Sequence, residues 1–119
     1  MTTPPIRDWE TLVAFALTLP GTQIAPYYGK PAVKVIANDR ALLSDSSEPG
    51  SFVLQIDRDT KAMLIETDPD TYWETPHYNG WPSLLVRYDT ADPERMAAMI
   101  ARACDQATAR RAARPRKAK

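Results

Sequence analysis

The chain is predicted to be α+β, a two-layer sandwich in which an antiparallel sheet of about five strands carries the N- and C-terminal helices on one face. Three observations predict it. Apolar residues recur at helical spacing near both ends, as Trp9, Leu12, Val13, Ala16 and Leu19, and as Met96, Met99, Ile100, Ala103 and Ala107. Between Ala32 and Asp57 they instead alternate with period two, in segments separated by turn residues. At 119 residues the chain can bury roughly 65% of its unfolded surface around one core. Strands grouped between terminal helices make a sheet covered on one side.

Residues 1–7 are expected to be a loosely docked arm. Asp8 is a suitable N-cap for the first helix, Glu10 suits the positive end of its dipole, and Pro20-Gly21 ends it. Thr22 to Pro31, punctuated by Pro26, Gly29 and Pro31, is either a short edge strand or a turn. Ala32–Ala37 reads as a strand with Val33 and Val35 on one face. Asn38-Asp39 tolerates positive φ and predicts a tight hairpin into Arg40–Ser44. After the Ser46–Gly50 loop, Ser51–Asp57 sets Phe52, Leu54 and Ile56 against Val53, Gln55 and Asp57.

Asp59 can cap a short helix through about Glu66. Ser83–Asp89 is a further strand. Asp92 caps the last helix, with Pro93 at the first helical position that proline prefers. Pro115 stops it. The domain therefore spans 1–109, and residues 110–119 form a basic tail expected to be disordered.

Between the short helix and the last strand lies the stretch around which the chain is organised, Asp68 to Pro82. It holds three prolines, the sole histidine, two of the three tryptophans and two of the five tyrosines. Surface connectors are ordinarily polar. Here Tyr72, Trp73 and Trp81 are expected to plug into the body, holding His77, Tyr78 and Asn79 outward in a rigid frame.

Composition excludes several classes. Cys104 is the lone cysteine, so neither an intrachain disulfide nor a zinc cluster can form. No apolar run approaches the ~18 residues of a membrane span, and the N-terminus lacks the features of a signal peptide. A cytoplasmic location is expected. No Ser/His/Asp or Cys/His set and no Gly-rich phosphate loop is present, so neither catalysis nor a cofactor is expected. The formal charge of zero hides an asymmetry: six basic residues stand in Arg110–Lys119, leaving nine basic against fifteen acidic in residues 1–109.

The first helix runs into Leu17-Thr18-Leu19-Pro20-Gly21, the first strand opens Lys30-Pro31-Ala32-Val33-Lys34-Val35, and Met63–Pro69 reads Met-Leu-Ile-Glu-Thr-Asp-Pro. Together with Thr75-Pro76-His77-Tyr78-Asn79-Gly80-Trp81-Pro82 and the Ser83-Leu84-Leu85-Val86-Arg87 that follows, these resemble the MmcQ/YjbR family. The resemblance covers roughly residues 8–109 and excludes the tail. It implies a compact α+β fold similar to the frataxin-like sandwich, with β-hairpins likened to the wings of a DNA reader. It implies no catalytic residues.

Two functions from different classes follow as expectations. The first is weak, largely non-specific DNA binding. Its residues would be Lys34 and Arg40, flanking the Asn38-Asp39 hairpin, with Arg87 and the tail residues Arg110, Arg111, Arg114, Arg116 and Lys117. The acidic balance of the body opposes that binding. The second is a module for a protein or small ligand, using His77, Tyr78, Asn79 and Trp81 beside a small pocket. Tyr27, Tyr28, Tyr78 and Trp81 could stack on nucleic-acid bases, although packing is the commoner fate of such rings. His77 has no evident set of partners for acid–base or metal work, so hydrogen bonding within the loop is its plainer role.

Overall fold

The computed structural model describes residues 5–110. Helix α1 (Trp9–Ala16) starts where Asp8 predicts: its carboxylate accepts the Thr11 N–H at 2.9 Å while Thr11 Oγ1 accepts the Asp8 N–H at 3.0 Å. The helix stops short of Pro20-Gly21. Pro20 disfavours helical backbone at Leu19, and the Thr22 hydroxyl donates to the freed carbonyl of Ala16 at 2.9 Å. Leu19 still packs on the core from a turn. Ile6, expected in a loose arm, is buried there as well.

Six strands form one antiparallel sheet in the order β1-β2-β3-β4-β6-β5. They are β1 (Thr22–Ile24), β2 (Ala32–Val35), β3 (Ala41–Asp45), β4 (Ser51–Gln55), β5 (Tyr72–Trp73) and β6 (Ser83–Arg87). Both edges hold the strands that the sequence leaves obscure. The β1 register against β2 settles Thr22–Pro31 as a hairpin, and β5 pairs Tyr72 with Val86 and Trp73 with Leu85. Between β2 and β3 the register shifts at Val33/Lys34, so that Leu42 and Leu43 both enter the core.

Helix α2 (Arg58–Thr67) begins two residues earlier than Asp59 suggests. Asp57 is the cap, accepting the Thr60 N–H at 2.9 Å, the Thr60 hydroxyl at 2.6 Å and the Gln106 amide at 2.5 Å. That last bond ties the cap to α3 (Pro93–Ala109), a tertiary partner invisible from local sequence. Burial works against the Asp57 charge, but these bonds outweigh it and hold the carboxyl below its ordinary range.

The inner face of the sheet packs Val33, Leu43, Phe52, Leu54, Leu84 and Val86 against Leu12, Leu64, Met96 and Ile100 of the three helices. This is the expected sandwich. The outer face is less open than alternation alone predicts, because Ala32, Val53 and Leu85 on it are also buried. No helix among the described residues is long and apolar enough to cross a membrane.

The organising stretch is not one plugged loop. Tyr72 is fully buried at the sheet edge, but Trp73 is only half-buried, with the Arg87 guanidinium 4.2 Å from its ring centre. Trp81 is 63% exposed and is no plug. The segment is anchored from below by Lys61 of α2.

Candidate ligand-binding cleft

Two loops approach one another over the outer face of the sheet. The first is the tip of the β1–β2 hairpin. Tyr27 and Lys30 exchange both backbone hydrogen bonds, at 3.0 and 3.1 Å, around Tyr28 and Gly29. Both central residues have positive φ, 53° at Tyr28 and 78° at Gly29, as a type I′ turn requires. Glycine meets this freely, whereas a bulky aromatic residue is strained by it. Tyr28 is nevertheless 81% exposed, with its ring edge-to-face on Tyr27 at 4.7 Å.

The second loop is Glu74–Trp81, with a single 3-10 turn at Pro76–Tyr78. Lys61 in α2 lies three residues before Leu64 and therefore points with it toward the protein interior. Its ammonium donates to the carbonyls of Tyr78 and Trp81, each at 2.8 Å. Glu74 Oε1 is buried 2.6 Å from the same ammonium, an ion pair without directed hydrogen-bond geometry. Asn79 donates to the other Glu74 oxygen at 3.1 Å, and Arg58 Nε donates to the Gly80 carbonyl at 2.9 Å. The rigid frame expected of this loop is thus made by buried cation contacts to its backbone, not by aromatic plugs.

Between the loops lies a cleft of about 680 Å³, a size within the ordinary range for small-molecule sites. Val53 and Leu85 form an apolar floor, with Ser44, Gln55 and Ser83 beside them. Tyr27, Tyr28, His77, Tyr78 and Trp81 line its rim. His77 stands edge-to-face on Tyr78 at 4.7 Å. Burial pushes the phenols of Tyr27 and Tyr78 up, and Tyr27 is raised further by the neighbouring phenols of Tyr28 and Tyr78. Both therefore stay neutral hydroxyls at physiological pH.

His77, Tyr78 and Trp81 are thus brought together as the sequence suggests, while Asn79 braces Glu74 instead. The anchoring residue that sequence reading missed is Lys61. Its signal was present: a lysine in step with Leu64 lies on the buried stripe of α2. The floor residues Val53 and Leu85 were recognised as strand positions only, because nothing local says that loops cover that face.

The cations expected to contact DNA do not share one surface. Lys34 is mostly buried, ion-paired to Asp39 at 3.7 Å and 5.8 Å from the Tyr27 ring centre. Arg87 is exposed at the Ser51 end of β4, whereas Lys34 lies by Ala41; antiparallel pairing of β3 with β4 puts these at opposite ends of the sheet. Arg40 and Arg110 line a second cavity of about 530 Å³ with Asp39, Asp57 and Gln106. Arg111, Arg114, Arg116 and Lys117 lie outside the described residues. The Asn38-Asp39 turn is docked rather than protruding. Asn38 is buried, donating to the Ala107 carbonyl at 2.6 Å and the Arg110 carbonyl at 3.1 Å. Among the described residues, no three His, Cys, Asp or Glu side chains converge as metal ligands would.

No family profile matches the chain, and no solved structure does. Three uncharacterized mycobacterial proteins do: Mb2600 of Mycobacterium bovis, and MT2646 and Rv2570 of Mycobacterium tuberculosis. Each is 32% identical over 95 residues, covering 69% of this chain and 74% of the relative. The chain belongs to the family of these mycobacterial proteins.

Proposed function

We propose that this protein is a non-catalytic binding module, and that the outer-face cleft takes a small organic ligand. One observation carries the reading. Two loops that differ in sequence and anchorage converge over a buried apolar floor, and each presents aromatic rings to the gap between them. Neither arrangement is free of cost. Tyr28 sits in left-handed backbone, and Lys61 is a buried cation held under the second loop. Costs of this kind collect at ligand sites.

The test is an NMR titration of the labelled protein with indole, a flat apolar probe. Shifts are expected to cluster at Tyr27–Lys30, Thr75–Trp81 and the floor residues Ser44, Val53 and Leu85. Absent shifts, or shifts scattered over the surface, overturn the reading.

A second reading rests on the charge run from Arg110 to Lys119 and on the MmcQ/YjbR resemblance: weak, largely non-specific nucleic-acid binding. Six cations that neutralise about 4–6 phosphates give a slope of log K against log salt of roughly −4 to −5. Anisotropy of labelled duplex and single-stranded DNA, against the full chain and a truncation after Ala109, separates body from tail. The acidic body predicts that only the full chain binds. No salt-sensitive binding by the full chain at low ionic strength removes this reading altogether.

A further inference from the structure

We propose that the ligand of the outer-face cleft is a small organic cation, a methylated ammonium of the choline type; this rests on the cleft reading above and adds its chemistry. The carboxylates and lysine on the cleft wall are Asp45, Glu48 and Lys30, two negative charges against one positive. Cations behind the wall are already partnered: Lys34 with Asp39, Lys61 with Glu74 and two loop carbonyls, and Arg58 with the Gly80 carbonyl. The surrounding body is acidic, with nine basic residues against fifteen acidic through residue 109. A phosphate or carboxylate entering this cleft meets repulsion, whereas a cation is attracted from a distance.

The rim supplies the contact itself. Tyr27, Tyr28, Tyr78 and Trp81 present electron-rich rings, and cations bind over such ring faces. In the edge-to-face pairs Tyr27–Tyr28 and His77–Tyr78 the rings are not stacked face on face, so the contact itself covers neither face of the edge-on ring. The chain already uses this chemistry nearby, with the Lys34 ammonium 5.8 Å from the Tyr27 centre and the Arg87 guanidinium 4.2 Å from that of Trp73.

The floor selects the kind of cation. Val53 and Leu85 are apolar, so they suit methyl groups and disfavour a fully hydrated ammonium. An inorganic cation would need several converging ligands, and among the described residues no three His, Cys, Asp or Glu side chains supply them. A methylated ammonium carries charge under an apolar skin and satisfies rim, floor and field together. The cleft exceeds the headgroup alone, which leaves space for whatever group the cation is attached to.

The experiment titrates the full chain by NMR with four probes: indole, choline, its neutral isostere 3,3-dimethyl-1-butanol, and a short peptide carrying trimethyl-lysine. Choline is expected to shift the Tyr28 and Trp81 resonances and to bind at least about tenfold more tightly than the isostere. Combined Asp45→Asn and Glu48→Gln should reduce that preference while leaving indole binding in place. Equal binding of choline and the isostere overturns the proposal, as does indole binding without choline binding; the cleft reading survives both. Failure of indole as well removes the cleft reading with it. A peptide that binds more than tenfold tighter than choline overturns the small-molecule source in favour of a modified protein side chain.

Discussion

The Lys61 ammonium lies 2.6 Å from Glu74 Oε1 beneath the wall of the cleft, and its two other contacts are backbone carbonyls of the same loop. One side chain on α2 therefore fixes the height of the whole Glu74–Trp81 segment. Lys61→Met keeps the apolar stem and removes the charge, so that the Trp81 carbonyl loses its ammonium donor, the Tyr78 carbonyl keeps only the Trp81 N–H at 3.0 Å, and the Glu74 carboxylate keeps only Asn79. Glu74 is 29% exposed, so water recovers part of that loss. The expected cost is about 2–3 kcal/mol, read as a shift in the urea midpoint. Amide exchange at Tyr78–Trp81 should accelerate more than global unfolding accounts for. A cost below about 0.5 kcal/mol would show that the loop does not depend on this clamp.

Asn38 joins two parts of the chain far apart in sequence. Its amide donates to carbonyls at the end of α3, and its oxygen accepts the Arg40 N–H at 3.1 Å. Asn38→Ala should cost about 1–2 kcal/mol, since two carbonyls at the end of α3 lose the amide and the Ala107 carbonyl keeps only the Arg110 N–H, at 3.2 Å. Asn38→Asp should cost more at neutral pH. A carboxylate cannot donate to those carbonyls, and it sets negative charge against the negative end of the helix dipole. Protonation at acidic pH should recover part of the difference. Equal urea midpoints for the two variants would contradict this account.

The legibility of the sequence differed by element for physical reasons. Asp8 and Asp92 cap through bonds three residues away, so local spacing predicts α1 and α3 well. Asp57 wins over Asp59 as the α2 cap with Gln106 bonded to it across 49 residues, which no window reveals. Strands β2 and β4 were legible from alternation, β3 from the Asn38-Asp39 turn before it and β6 as an apolar run between turn residues, while β5 is two residues long and takes its identity from pairing with β6. At the cleft, His77, Tyr78 and Trp81 were legible because aromatic rings in a proline-framed loop stand out. Tyr28 stood out as a residue, but not its strained turn, because nothing before Gly29 demands positive φ of a tyrosine.

Trp73 and Tyr72 separate burial from mere aromatic content. Tyr72 is 1% exposed, so Tyr72→Ala should cost about 3–5 kcal/mol. Trp73 lies half-buried on the outer face under Arg87, and Trp73→Ala should cost only about 1–2 kcal/mol. A reversed order of midpoint shifts would place Trp73, not Tyr72, in the core, and equal shifts would mean that burial does not separate the two.

Tyr28 sets stability against binding. Tyr28→Asn supplies the Asn-Gly pair that a type I′ turn favours, relieving about 1 kcal/mol of left-handed strain. The lost edge-to-face contact with Tyr27 is worth a similar amount at most. Stability should therefore hold or rise by up to about 1 kcal/mol, while NMR shifts from indole weaken. A loss above about 1 kcal/mol would make Tyr28 a structural residue.

Alkaline unfolding should report the buried phenols. The Tyr72 and Tyr88 hydroxyls are buried without a hydrogen-bond partner. Burial pushes the Tyr72 phenol up to about 12; Asp68 and Asp92 add to the rise and Arg95 opposes it. Tyr88 is pushed up further, by burial first and then by Asp45 and Asp8. Ionisation is easier in the unfolded chain, near the ordinary value of 10.0, than in the fold. The stability this contributes is complete below pH 10 and is lost as pH rises toward 12, by about 1.4 kcal/mol per pH unit for Tyr72. Tyr72→Phe should be neutral or stabilising by up to about 1 kcal/mol at pH 7, because it deletes an unpaired buried hydroxyl. It should also flatten the decline between pH 10 and 12. Urea midpoints for both proteins across that range check the two effects together, and parallel curves would mean that the Tyr72 hydroxyl is solvated in the fold.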